Sequence, residues 1–352
     1  MRPEIEKILP SEMNDDVMSI GNVNCPNSAT KIVRIVHISD THHAHNTLTP
    51  LRPLSGNIAI LRSTSIDSPN QIIDETGADA FARSASARLQ MQASESNDSS
   101  FHKGGTFLSS FRRSHSSSTS VPPGDVLIHS GDFAWNSKAP GLFRSENFEE
   151  IIQAMNDFFD RFPHKVKIFV AGNHEASLEG KKLLSVQERL TSAVYLYNSS
   201  YTYEGIHFYG APYTPFRLTT NATGFQRHSR SIAAHWREIP SRTDVLITHT
   251  PPHGILDLAT DFTARKVPKL SSAIHRLLPK GPCSTCGIIH PGRSHWGCRH
   301  LREEVLIRIK PKLHLFGHVH ECNGITTKNG VTFSNAAYKL SKQHHVFDYY
   351  VS

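Results

Sequence analysis

Eight polar residues fall just behind short apolar runs. Asp40 and His42 follow KIVRIVHIS, Asp132 follows DVLIHSG, and Asn173 and His174 follow KVKIFVAG; His249 follows DVLIT, and His318 and His320 follow KLHLFG. Carboxylate, imidazole and amide oxygen make a hard-to-borderline donor set that suits Mn²⁺, Fe²⁺ or Zn²⁺, with Mg²⁺ as an alternative. One histidine behind one apolar run is ordinarily a hydrogen-bonded loop residue. Five runs ending the same way need a different account, because a buried aspartate without a cation is costly. The series points to chemistry carried by bound metal.

The runs that must position these residues are β-branched and short, as buried strands are. Further strands are expected at AVYLYNSS, GIHFYGAP, VTFSN and HVFDYYV. Between them lie helical patterns. The clearest starts near Ser145, a candidate N-cap, and carries Phe148, Ile151, Ile152, Met155, Phe158, Phe159 and Phe162 on one face. Others are expected around 181–190, 226–238 and 300–309. Strands alternating with helices predict an α/β fold with its ligand at the C-terminal strand ends. Several consecutive strands near 194–211 and 331–350 suit two packed sheets with helices outside.

Residues 1–30 are polar and aperiodic and are expected to be a flexible lead-in to one domain over 31–352. Within it, residues 55–122 are rich in serine and lack sustained apolar pattern, which predicts a disordered low-complexity insert. Arg112-Arg113-Ser114 in that insert has a basophilic-kinase-like look, beside the plainer reading of a tolerated surface insertion.

The chain of 352 residues has a formal charge of +7, with basic residues scattered rather than gathered. That favours anionic small-molecule partners and argues against a nucleic-acid-binding face. The first segment carries acids and no long apolar run, and no stretch reaches membrane-spanning length. The expectation is an intracellular, cytoplasmic protein without a membrane partner; nothing in the sequence bears on oligomeric state. Five cysteines do not make a disulfide framework. Cys283, Cys286, Cys298 and His300 have the types and rough spacing of a structural zinc site, beside a redox Cys-x-x-Cys or unliganded loop cysteines.

The blocks DTH, GD, GNHE, a lone histidine after a strand, and GHVH resemble, in that order, the calcineurin-like metallophosphoesterase superfamily. FVAGNHE, LITHTPPHGILD and RIKPKLHLFGHVHE resemble its metallophosphoesterase-domain-containing, class III phosphodiesterase-like subgroup. The resemblance covers 31–350 apart from the serine-rich insert and 281–297; Cys298 also fits a Gly-Cys-x-x-Leu turn of the subgroup. It implies a four-layer α/β/β/α sandwich and two adjacent divalent metals. Asp40, His42 and His320 would hold one, Asn173, His249 and His318 the other, and Asp132 would bridge them. A hydroxide between the metals would attack phosphorus. His174 would be the general acid or would bond a phosphoryl oxygen, with a purely structural histidine as the alternative.

Departures from the family narrow the substrate. Phe133, Ala134, Trp135 and Asn136 follow Asp132, and Ala171 precedes Gly172, where phosphoprotein phosphatases carry arginines and a carboxylate partner for the catalytic histidine. Trp135 and His42 likewise disfavour the purple acid branch. The expectation is hydrolysis of a small phosphodiester or nucleotide, cyclic nucleotides included; the alternatives are a broad phosphomonoesterase or a non-catalytic binding or scaffold protein on the same fold. His43, His45 and His253 are further candidates for substrate contact, and His253, four residues past His249, stands first.

Overall fold

The computed structural model describes residues 18–20, 31–42, 44–51, 120–134, 147–217, 222–260, 282–290 and 292–351. In chain order the strands are β1 (Met18–Ile20), β2 (Lys31–Ile38), β3 (Thr49–Pro50), β4 (Ser120–Val121), β5 (Val126–His129), β6 (Val166–Phe169), β7 (Val194–Tyr195), β8 (Ser199–Tyr203) and β9 (Ile206–Ala211). They continue with β10 (Thr214–Pro215), β11 (Gln226–Arg227), β12 (Val245–Thr248), β13 (Leu258–Thr260), β14 (Arg293–His295), β15 (Leu313–Phe316), β16 (Gly324–Lys328), β17 (Val331–Asn335) and β18 (His345–Val351). The helices are α1 (Phe148–Asp160), α2 (Leu183–Gln187), α3 (Ser229–Arg237), α4 (Arg299–Glu303) and α5 (Tyr338–Ser341).

Strand side chains alternate between two faces, and here each face has its own apolar layer. Val33, Ile35, Val126, Ile128, Val245, Ile247, Leu313 and Leu315 gather in one buried cluster that draws on both large sheets. Val36, Leu127, Leu246 and Phe316, from the alternate positions, join a second cluster with the helices. The result is the α/β/β/α sandwich, its first sheet ordered β1-β18-β2-β5-β6-β7 and its second β16-β17-β15-β12-β9-β8. The central pairs β2–β5, β5–β6, β9–β12 and β12–β15 are all parallel. Parallel neighbours end at the same edge, and that edge is where every donor-bearing loop emerges.

α1 buries Ile151, Ile152, Met155, Phe158 and Phe159. Truncating one such phenylalanine to alanine costs about 3–5 kcal/mol. Ser145 lies outside the described residues; α1 begins later than the sequence suggested, with Asn147 at the capping position and Glu149 and Glu150 complementing the helix dipole. Likewise Gln226 and Arg227, expected to be helical, pair with Thr214 and Pro215 instead, which delays α3 to Ser229. α4 runs on through Glu304–Ile309 in a wider turn, with Lys310 N–H donating to Val305 O five residues back at 3.0 Å.

Met18–Ile20, inside the expected flexible lead-in, pairs with β18 as an edge strand. Ser120–Val121, at the end of the expected insert, pairs with Thr49–Pro50. Residues 53–116, Arg112-Arg113-Ser114 among them, lie outside the described residues. No helix among the described residues is long and apolar enough to cross a membrane.

Candidate metal centre

The loops leaving β2, β5 and β6 meet those leaving β12 and β15. Asp40 N–H donates to Gly131 O at 2.9 Å, His42 N–H to Asp132 O at 3.2 Å, and Gly317 N–H to His249 O at 3.1 Å. Asp40, His42, Asp132 and His318 all have positive φ, at 51°, 44°, 55° and 69°. Left-handed backbone is uncommon outside glycine and costs of order 1–3 kcal/mol at each residue. Four such residues in one cluster identify a place where geometry is held against local preference. Two neighbouring glycines show how tight it is: a Cβ at Gly172 or Gly317 would collide with the carboxylate of Asp132 or Asp40.

The side chains form two groups that share one residue. Donor atoms of Asp40, His42, Asp132 and His320 lie within 4.8 Å of one another, and so do those of Asp132, His249 and His318. In the first group His320 Nε2 is 3.1 Å from Asp40 Oδ1 and 3.0 Å from His42 Nε2. In the second, His249 Nε2 lies 3.0 Å from Asn173 Oδ1 and 3.3 Å from Asp132 Oδ2. All seven residues expected to be ligands therefore converge, with Asp132 common to both groups.

The surroundings fit a cation. His42 Nδ1–H donates to Ala134 O at 3.1 Å and His249 Nδ1–H to Ser130 O at 2.9 Å. A carbonyl only accepts, so these bonds put a proton on Nδ1 and turn Nε2 inward, as metal-binding histidines require. His318 Nδ1 is buried without a hydrogen-bond partner, which in a folded interior calls for a ligand. Asp40 Oδ2 accepts from Ser39 Oγ and from His318 N–H, which leaves Oδ1 facing His320. Burial pushes His42 and His318 down to about 3, so both rings are neutral donors at ordinary pH. Burial opposes charge on His249 too, but Asp132 beside it holds that ring up at about 9. His249 and its neighbours in turn hold Asp132 well below the usual carboxylate range against its own burial. A proton on His249 thus balances a charge that a divalent ion would balance better.

His174 stands at the rim. Its N–H donates to Asp132 Oδ1 at 2.9 Å, its Nε2 is 3.8 Å from Asp132 Oδ2, and its ring meets His42 edge-on at 4.7 Å. Burial lowers its pKa. The Asp132 carboxylate thus stands beside the His174 ring but beyond hydrogen-bond reach of its Nε2.

Other residues were missed in the sequence. Glu175, the last letter of GNHE, is fully buried and accepts backbone N–H groups from Asp132, Ala134 and Gly172 at 3.0, 2.9 and 2.6 Å. It ties the Asp132 loop to the Asn173 loop. Burial and the charge of Asp132 raise its pKa to about 7. Arg217 lays its guanidinium 4.6 Å from the Trp296 ring, which stands 5.9 Å from His318, and its charge acts on that histidine. Lys339 on α5 feels the charges of Asp40 and Asp132. Neither cation has a sequence signal, because both come from segments distant from the motif they flank.

The remaining candidates sit apart. His253 Nε2 bonds Thr285 Oγ1 at 3.0 Å and its Nδ1 is 3.7 Å from Asp257, so neither ring nitrogen engages either donor group. His45 is buried and stacks on Phe133 at 3.8 Å, a core role; His43 lies outside the described residues. The expected grouping of Cys283 and Cys286 with Cys298 and His300 is corrected. Cys298 is buried, accepts Trp236 Nε1–H at 3.2 Å and precedes α4, while His300 Nε2 bonds Ser229 Oγ at 3.0 Å. The start of α4 claims both residues and turns them toward α3. His290 and His295 take their place beside Cys283 and Cys286.

The sequence profile of the calcineurin-like phosphoesterase family matches residues 33–322. The UPF0046 protein K07C11.7 of Caenorhabditis elegans is 35% identical over 230 residues, 62% of this chain and 63% of that protein. A second protein of that organism, UPF0046 protein C25E10.12, is 34% identical over 244 residues, 65% of this chain and 72% of its own. Human metallophosphoesterase domain-containing protein 1 is 28% identical over 240 residues, 62% of this chain and 60% of that protein. The chain spans less than two thirds of the first and third of these relatives.

Proposed function

With residues 33–322 matched, the chain belongs to the calcineurin-like phosphoesterase family, and from that premise we propose that it hydrolyses a small phosphodiester, cyclic nucleotides being the first class to test, with the help of two divalent metal ions. The observation that carries this reading is the convergence of seven oxygen and nitrogen donors from five strand ends on two groups that share Asp132. Asp40, His42 and His320 would hold one ion, Asn173, His249 and His318 the other, and Asp132 would bridge. Oxygen and imidazole donors of this kind suit Mn²⁺, Fe²⁺ or Zn²⁺. When bound, such a pair supplies an acidified water and positive charge for the phosphoryl oxygens.

The chain's own groups do the rest. Asp132 orients His174 through the backbone N–H that its Oδ1 accepts. His174, at the rim and beside Asp132, is placed to give a proton to the departing alkoxide. Glu175 fixes the two loops that carry them, through three backbone N–H groups. Arg217 and Lys339 add positive charge on opposite sides, near His318 and near Asp40. Among the described residues, two outlying cations rather than an arginine clamp favour a singly charged diester over a dianionic monoester.

The test is turnover by metal-stripped protein restored with Mn²⁺, on bis(p-nitrophenyl) phosphate and on p-nitrophenyl phosphate. The diester is expected to turn over with the higher kcat/KM. A preference for the monoester replaces the diesterase reading with a phosphomonoesterase, and no turnover of either overturns the phosphoesterase reading itself.

A further inference from the structure

The residues leading into β14, with the last residue of β14, carry a second donor cluster whose members play no part in the chemistry above. Ligand atoms of Cys283, Cys286, His290 and His295 lie within 4.8 Å of one another. The spacing is Cys-x₂-Cys followed by His-x₄-His, the pattern of closed Cys₂His₂ zinc sites. We infer that these four residues form a structural zinc site that pins the 283–297 loop beside the metal centre.

The histidines are already set as ligands. His290 Nδ1–H donates to Arg293 O at 3.1 Å, and His295 Nδ1 is bonded to Asp257 Oδ1 at 2.6 Å. Each bond puts the proton on Nδ1, and each Nε2 is buried with no hydrogen bond of normal geometry. Two inward-turned imidazole nitrogens with only the Cys283 sulfur to interact with are arranged for a shared ligand. Cys283 is prepared in the same sense. Its Sγ accepts the Thr285 N–H at 3.4 Å, and the backbone N–H groups of Thr285 and Cys286, then His290, bring its thiol down to about 5. Gly287 N–H closes the turn on Cys283 O at 2.7 Å.

Around the two cysteines the segment is held by hydrogen bonds and turns rather than by apolar burial. Ile288 and Ile289 are 65% and 60% exposed, so no apolar core holds this segment, and small segments without a core are where metals serve as staples. Tetrahedral zinc with bonds of about 2.0–2.3 Å holds its ligand atoms about 3.3–3.8 Å apart. With the ligand atoms within 4.8 Å, closing asks for a shift of at most about 1–1.5 Å, which Gly287 and Gly292, both at positive φ with open space around them, allow. Two thiolates and two imidazoles in a tetrahedron select Zn²⁺ over the ions that oxygen donors prefer.

The consequence reaches the metal centre. His295 is followed by Trp296, which carries Arg217 on its face and stands beside His318, and Arg217 donates to His295 O at 3.1 Å. Asp257, which holds His295, also accepts the N–H groups of Gly254 and Gly297. A zinc at the loop would therefore position Arg217 without touching substrate.

The experiment uses the full chain, with zinc content by elemental analysis and the near-ultraviolet spectrum after Co²⁺ replacement, for wild type, Cys286→Ser, His300→Ala and Asp132→Asn. A thiolate-to-cobalt charge-transfer band is expected in wild type, His300→Ala and Asp132→Asn. Cys286→Ser is expected to lose that band and to hold one zinc fewer per chain. No such band in wild type, or equal zinc in wild type and Cys286→Ser, overturns the site. Because Asp132→Asn alters only the sheet-edge donors, failure there leaves the loop readout untouched, and the two readings fail separately.

Discussion

At the sheet edge the donors are carboxylates, an amide and imidazoles, mostly buried, each fixed at the end of a parallel strand. In residues 283–295 they are two thiols and two imidazoles, with two exposed isoleucines between the pairs. The first cluster is held open by strained backbone and by glycines that let carboxylates approach, and it leaves a rim where His174 stands. The second offers four donors, the number that fills a closed tetrahedral zinc site and leaves no vacancy for substrate. One fold thus separates a reactive centre, which the core must hold rigid, from a staple that supports a segment with no core of its own. Arg217 links them, since its guanidinium rests on Trp296 from the loop while its charge reaches His318 at the edge.

The strongest challenge to that division is His174→Ala. If the sheet edge is the reactive centre and His174 its acid, kcat should fall about 10²–10⁴-fold on a diester with an alkoxide leaving group. The loss should be much smaller with nitrophenolate, which needs no proton. Equal losses on both would exclude the role of general acid. Arg217→Ala probes the link between the regions. It should raise KM about tenfold, the scale of one hydrogen bond to a charged group, with kcat changed less. If Arg217 acts only in the loop, KM will not move while zinc retention falls.

The smallest effect separates the sandwich interior from the loop. Burial lowers His314 to about 3 and His345 to about 4, against about 6.5 in an unfolded chain. Both are neutral in the fold and take up protons on unfolding below pH 6.5. Their stabilisation is complete above that pH and is lost as pH falls toward 4, by up to about 1.4 kcal/mol per pH unit for each. Urea midpoints measured between pH 7 and 5 should fall accordingly, and His345→Gln should flatten the slope. An unchanged slope would place the acid sensitivity elsewhere.

Much of the sheet edge was legible because strand periodicity and metal-donor chemistry are both local. KIVRIVHISD announces its strand and its aspartate together, and GNHE and GHVH do the same. What escaped depends on distance. Arg217 and Lys339 reach the centre from segments that pair or pack only in three dimensions. Met18–Ile20 becomes a strand only because β18 offers it an edge. In the loop, spacing alone offered Cys298 and His300, but a helix start turned them toward α3, and the histidines at 290 and 295 took over. Glu175 was in plain view, yet its work is to accept N–H groups from two loops, and hydrogen bonding across loops leaves no periodic trace.

The account rests most heavily on Asp132 as the residue shared by two metals. Manganese titration of the metal-stripped chain, followed by electron paramagnetic resonance, reads that directly. Wild type should saturate at two ions per chain with the signal of a spin-coupled pair, and Asp132→Asn should lose the coupling. Uncoupled manganese at every loading of the wild type, or saturation at a single ion, would contradict it.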